Sequence, residues 1–402
     1  MQLREWNARL HGLVVFRALL GDPVVAKLAA LTDRLEAADD SIAPLCDAVA
    51  AFEAALFAHT TNLGDYLSNA VLETETVCVR QAAAGQLSPV MEAALNSELN
   101  FLQKLCGLTL DALLEAADWQ SRELAFLPRW EARQLDLTVA YNQRMREAGK
   151  KGYGMFAKHH VFTVENGQLV PVKYPDPQKL SELPGYEKER EKVIANTRAL
   201  LAGSPANNVL LYGDAGTGKS STVKAIANEY AADGLRLVEV KKNQLYQIPD
   251  LMDQLAANPL KFILFIDDLS FTANDDNFAA LKAILEGSVG GRAGNIAVYA
   301  TSNRRHLIKE TLTDREGDDI HESDTRQELM SLSARFGLTI TFGSPDRERY
   351  LHIVEELAKQ YGVELDPRQL AVRSEAFAVR SGGRSARVAK QFIELCKAGV
   401  FS

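Results

Sequence analysis

The sequence lacks any apolar run approaching the roughly 18–20 residues that span a bilayer. Near the start, Leu13-Val14-Val15-Phe16 is cut short by Arg17, and no small-residue cleavage pattern follows. Neither a membrane span nor a secretory leader is therefore expected. No two cysteines have CxxC spacing: Cys46, Cys78, Cys106 and Cys396 are scattered. That excludes a zinc ribbon or a disulfide framework and leaves reduced core thiols, the pattern of a cytoplasmic protein. The seven histidines are equally dispersed; only His159 and His160 adjoin, with no carboxylate at ligand spacing, and they read as structural. Nor is there a surplus of basic residues. With 45 Lys and Arg against 53 Asp and Glu, the formal net charge is −8. A chain whose main partner is nucleic acid is normally basic, so that partner is not indicated, although a local basic patch is compatible with the total.

Glycine and proline are rare from residue 1 to about 148, where Ala, Leu and Glu dominate. Apolar residues recur there at three- and four-residue spacing, as in LAALTDRLEAADD and AVAAFEAALFAHTTNL, which predicts an all-α region. It carries no catalytic constellation and reads as a unit for interaction or regulation. The stretch EAGKKGYG reads as a hinge. Around Tyr153, the basic residues Arg144, Lys150 and Lys151 suit either stacking on single-stranded nucleic acid or plain packing. A β-hairpin turning at Asn166-Gly167 follows, so 149–179 is expected to be a hinge and hairpin linker.

From 180 to 343 apolar strands alternate with amphipathic helices, which implies a parallel sheet covered by helices. FILFID suits a strand buried on both faces. Residues 344–402 return to helix.

Gly213-Asp214-Ala215-Gly216-Thr217-Gly218-Lys219-Ser220 matches GxxxxGK[ST], between the strand NVLLY and a helix. Its glycines let successive N–H groups turn inward onto phosphate oxygens, and the helix N-terminus adds positive charge. Gly213 to Ser221 is thus the expected triphosphate cradle, with Lys219 on the β- and γ-phosphates and Ser220 on Mg2+. One βα unit later, Phe262-Ile263-Leu264-Phe265-Ile266 ends in Asp267-Asp268. Asp267 is the expected Mg2+ residue, and Asp268 the residue that orients or deprotonates the attacking water.

Taken together, PGYEKER…NVLLYGDAGTGKSS…FILFIDDLSF…YATSNRRHLI…SARFGL…GGRSAR resembles the AAA+ ATPases over about residues 178–402. Closer still is the resemblance to the bacterial DUF815 family of predicted ATP-binding proteins. It implies an α/β P-loop NTPase core, here 180–343, beside the all-α N-terminal region, with a small C-terminal helical lid at 344–402. By the same resemblance Asn303 is the sensor-1 residue, and Arg335, in Ser-Ala-Arg-Phe-Gly, is an arginine finger reaching a neighbouring subunit. Arg387 is the preferred sensor-2 residue, with Arg384 second. Gly185 and Tyr186 lie in the adenine-side segment, which, with no NKxD-type guanine reader, points to ATP. The implied activity is Mg2+-dependent ATP hydrolysis in an oligomer, with an unknown protein partner. The rival is an ATP-gated loader or initiator module with little turnover. One departure is Asp268, where the family has Glu. It pulls the carboxylate back by about one C–C bond, and slow hydrolysis is the expectation.

Three further stretches are ambiguous. Arg304-Arg305-His306 suits a phosphate contact, a subunit interface or a solvated turn alike. The acidic insert at 311–331 suits either a solvated loop that orders on nucleotide or partner contact or, as for most such loops, a tolerated insertion. Tyr246 lacks the following glycine of a threading pore loop and is expected to pack.

Overall fold

The computed structural model describes residues 2–37, 41–83, 86–119, 124–269, 277–286, 293–303 and 334–400. The chain forms two compact units, Met1–Lys158 and His159–Ser402, each with its own core. The first is helical: α1 (Gln2–His11), α2 (Pro23–Glu36), α3 (Ile42–Phe57), α4 (Leu63–Glu73), α5 (Val77–Ala83), α6 (Pro89–Cys106), α7 (Leu110–Ala116), α8 (Leu137–Arg146), α9 (Ala148–Lys151) and α10 (Met155–Lys158). Short polar side chains start these helices by accepting orphan N–H groups. Asp22 takes Val24 N and Val25 N, Ser88 takes Met91 N, and Asp136 takes Val139 N. The apolar stripes of α2 and α3 face each other through Leu28, Leu31, Val49, Phe52 and Leu56, all buried. Phe52 meets Trp130 edge to face at 4.8 Å, so truncating that ring costs about 3–5 kcal/mol. Tyr153 is only 5% exposed and belongs to this core, which decides for packing over base stacking.

In the second unit, β1 (Val161–Glu165) and β2 (Gln168–Pro171) form the expected hairpin. Asn166 and Gly167 both have positive φ, 49° and 76°, as a type I′ turn requires. The hairpin does more than link. β1 pairs in parallel with β4 (Leu235–Glu239), placing Val161 opposite Leu237. Phe162 and Val164 are buried, which holds it there. The remaining strands are β3 (Val209–Gly213), β5 (Lys261–Ile266), β6 (Ile296–Ser302) and β7 (Leu338–Phe342). The sheet order is β2-β1-β4-β5-β6-β3-β7, parallel except at the hairpin. All seven residues of β6 are buried, as are the last five of β5. The exits of β5, β6 and β3 therefore lie side by side, where parallel α/β sheets place their ligands.

Helices α11 (Glu187–Leu201), α12 (Lys219–Glu229), α13 (Ile248–Ala256) and α14 (Asn277–Glu286) connect the strands. A three-helix group comes next: α15 (Arg347–Tyr361), α16 (Pro367–Arg380) and α17 (Ala386–Lys397). Tyr246 departs from expectation. It sits in a 3-10 turn, Lys242–Gln247, and is 67% exposed while its neighbour Leu245 is fully buried. The tighter turn breaks the helical spacing that would have packed it. No helix among the described residues is long and apolar enough to cross a membrane.

Glu53, on α3, is 2% exposed, and neither carboxylate oxygen has a hydrogen-bond partner. Burial raises its pKa from 4.5 to about 7, opposed by Arg129. A carboxyl raised in this way stabilises the folded unit most below the unfolded pKa, and that contribution fades as pH rises through about 7. All three tryptophans (Trp6, Trp119, Trp130) belong to this unit, so their fluorescence in a urea titration reports its unfolding. Glu53→Gln is expected to flatten the fall in stability between pH 4.5 and 8, and to stabilise the unit at pH 8 by about 2 kcal/mol.

Candidate active site

The phosphate loop is shaped first by close approach. At Gly213 φ is 137°, and a Cβ would lie 2.0 Å from the carbonyl oxygen of Phe342. Gly213 and Phe342 are paired partners of β3 and β7, so neither backbone can yield. Gly218 (φ 92°) is the N-cap of α12 and supplies no side-chain cap, which leaves the first N–H groups of the helix available to an anion. Thr217 closes the loop by donating to Asp214 O at 2.9 Å.

An acid inside an anion cradle needs a reason. Asp214 Oδ2 accepts from Ser344 N (2.7 Å) and Ser344 Oγ (2.6 Å). Those two donors hold its carboxyl below the usual carboxylate range. Asp214 N in turn donates to Phe342 O at 3.1 Å. The loop is thereby tied to the residues that lead from β7 into the three-helix group.

Lys219 is 5% exposed. Its ammonium donates to Gly213 O (2.9 Å), Asp214 O (2.8 Å) and Asn303 Oδ1 (3.0 Å). Burial lowers its pKa, against the pull of Asp214, Asp267 and Asp268. Ser220 Oγ donates to Asp267 Oδ1 at 2.6 Å. Two hard oxygen donors side by side next to a phosphate cradle are a donor set that fits Mg2+. Asn303 Nδ2 donates to Asp268 Oδ1 at 2.8 Å. Thus Lys219, Asn303 and Asp268 form one hydrogen-bonded chain across the exits of three adjacent strands.

These groups line a cleft of about 990 Å³. Ala215 to Ser221, Asp267, Asp268, Asn303 and Arg387 all border it; Gly213 and Asp214 do not. Arg387 N donates to Gly216 O at 3.0 Å, bringing the start of α17 onto the loop. Arg384 faces elsewhere, in a two-point pair with Glu375 (Nε–Oε1 3.0 Å, Nη2–Oε2 2.8 Å). Arg335 is partly exposed and is not among the lining residues.

Gly185 and Tyr186, expected on the adenine side, do not line the cleft. Tyr186 is 1% exposed, stacks on Phe342 with ring centres 5.3 Å apart, and donates from its hydroxyl to Gly343 O at 2.7 Å. Gly185 brings the turn against α15, where a Cβ would meet Ile353 at 2.8 Å. The wall is instead Leu183 and Pro184, held by Arg190 through Leu183 O and Gly185 O. Ile353, Leu357 and Tyr361 of α15 also line it, with Lys390 and Lys397 of α17. The apolar trio recurs every four residues, a spacing indistinguishable in sequence from ordinary core packing. Arg304-Arg305-His306, the acidic insert at 311–331 and Ser333 lie outside the described residues.

A family model described as "Protein of unknown function (DUF815)" matches residues 156–400. Among curated proteins, the chain is similar to the replication factor C large subunit of Staphylothermus marinus, 31% identical over 141 residues, or 35% of this chain and 29% of that protein. The corresponding protein of Thermococcus kodakarensis is 44% identical over 63 residues, 15% of this chain and 13% of that one. The chain thus spans less than a third of the length of either relative. Among solved structures, a Thermotoga maritima RuvB variant has 19% identity and a TM-score of 0.36, covering 54% of this chain and 63% of that chain.

Gly213→Ala is expected to lower stability by on the order of 3 kcal/mol, because the added methyl meets paired backbone. Gly294→Ala, where a Cβ would meet nothing within 4 Å, is the matched control and should melt within a degree or two of wild type. Thermal unfolding of both variants checks this.

Proposed function

We propose that this chain, which belongs to the DUF815 family within the AAA+ ATPase superfamily, is a Mg2+-dependent ATPase that works as an oligomeric device or switch. The observation that carries the reading is the convergence of Lys219, Ser220, Asp267, Asp268 and Asn303 within hydrogen-bond reach at three neighbouring strand exits. Loop N–H groups and the start of α12 hold the β- and γ-phosphates, and Lys219 neutralises them. Ser220 and Asp267 would hold Mg2+, which when bound would supply positive charge against the charge that develops on the phosphates. Asp268 accepts the proton of the attacking water while the Asn303 amide orients it. Leu183, Pro184 and the apolar face of α15 cover the base. Arg387 reaches the phosphates from the C-terminal helical lid, 344–402, whose movement reports the γ-phosphate. Arg335 completes the site of a neighbouring copy.

A second reading is an ATP-gated assembly module, loader- or initiator-like, with little turnover. It is favoured by the short side chain of Asp268, whose Oδ1 already accepts from Asn303. A misplacement near 1 Å costs about a hundredfold in rate. The load is a protein partner of unknown identity. Nucleic acid is not indicated by the net charge of −8; stimulation by DNA that weakens steeply with salt would reveal it.

Phosphate release across a protein concentration series separates the two readings. For the ATPase, specific activity climbs with concentration, and Lys219→Ala and Arg335→Ala each lower it at least about a hundredfold. Tight ATP binding with no release at any concentration selects the assembly module.

A further inference from the structure

We propose that Thr301 is a positioning residue for both acids of the site, and that it sets the backbone twist by which the short Asp268 reaches its working place. The inference rests on the ATPase reading and deepens it. Thr301 is 1% exposed, in the strand that separates the acid-bearing β5 from the loop-bearing β3. Its hydroxyl donates to Asp267 Oδ1 (2.5 Å) and accepts from Asp268 N (2.9 Å), while its carbonyl accepts from Leu269 N (2.7 Å). One residue therefore grips three successive residues where β5 ends.

Two consequences bear on the chemistry. Asp267 Oδ1 accepts from Ser220 Oγ, Thr301 Oγ1 and Asp268 N. That oxygen is committed, which fixes the carboxylate plane and keeps these three bonds off Oδ2. Asp268 has φ of 52°, in the left-handed region that a residue with a Cβ seldom enters. The Thr301 hydroxyl holds it there. The twist aims the Asp268 carboxylate at Asn303 Nδ2, 2.8 Å away. Asn303 is the second residue after Thr301, one past the end of β6. The strand that fixes the backbone of Asp268 thus also carries, just beyond its exit, the partner of its side chain. The backbone supplies what the missing methylene of a Glu would have supplied.

The test compares Thr301→Val, which keeps the shape but removes the hydroxyl, with Thr301→Ser, which keeps the hydroxyl. Three quantities are read: turnover, the Mg2+ dependence of binding a fluorescent ATP analogue, and metal-free hydrogen exchange at the Asp268 amide. Thr301→Val should lower kcat about 10–100-fold and raise the Mg2+ needed for half-maximal analogue binding by a similar factor. Its Asp268 amide should exchange at least about tenfold faster. Thr301→Ser should stay within about threefold of wild type in all three. Thr301→Ala replaces the Val variant should that fail to fold, judged by its melting curve. Equal behaviour of Val and Ser, or wild-type Mg2+ dependence and exchange in Val, overturns the proposal. If wild type binds the analogue but never releases phosphate, the ATPase reading fails alone. Mg2+ dependence and exchange then still decide on Thr301. Wild type that binds no analogue overturns both.

Discussion

A lysine ammonium held almost out of water is costly unless every proton finds an acceptor. Lys219 meets that condition with partners from two strand exits: two carbonyls of its own loop and the amide of Asn303. Much of the second unit can be understood as the means of arranging this. β6 must lie beside β3 to deliver Asn303, and β5 must lie beyond β6 to deliver the two acids. The loop can curl far enough to present its carbonyls only because Gly213 passes Phe342 without a side chain. A phosphate entering the cleft would compete for an ammonium whose three donors are already in use, and its binding would reset the Lys219–Asn303–Asp268 chain.

The same loop is tied to the segment that leaves the sheet after β7. Asp214 holds Ser344, Gly216 receives the N–H of Arg387, and the Tyr186 hydroxyl reaches Gly343. Arg349 lies over the Tyr186 ring at 4.8 Å and pairs with Glu189. Residues 343–349 are therefore gripped from the loop and from the entry to α11 at once. A shift of the loop would therefore reach this segment through short polar contacts as well as through the close-packed core.

The parallel sheet, the hairpin turn and the residues around Lys219 were legible because each rests on a local rule: alternation, positive φ at Asn-Gly, or a fixed glycine spacing. What escaped depended on distant partners. Nothing local marks Thr301, a β-branched residue in a buried strand, as the hydroxyl that grips Asp267 and Asp268. Tyr186 was expected beside a base, but its ring has a closer apolar surface in Phe342, 156 residues further along. Arg387 was already preferred to Arg384, but the contact that turns Arg384 away, its pair with Glu375 of α16, is another distant partner. Tyr246 was misjudged for a local reason, a 3-10 turn standing where helical spacing was assumed.

The β1–β2 hairpin finishes one margin of the sheet. β4, the strand it covers, has four of its five residues buried. Uncovered, its edge would offer a row of free N–H and C=O groups to any passing chain. β2 presents a poorer template: four residues, none of them buried, ending at Pro171, which has no N–H to give. The hairpin is in effect a hem. A fragment cut to begin at α11 would keep β3 and every residue that touches Lys219, and yet leave the β4 margin bare and prone to fray into aggregates.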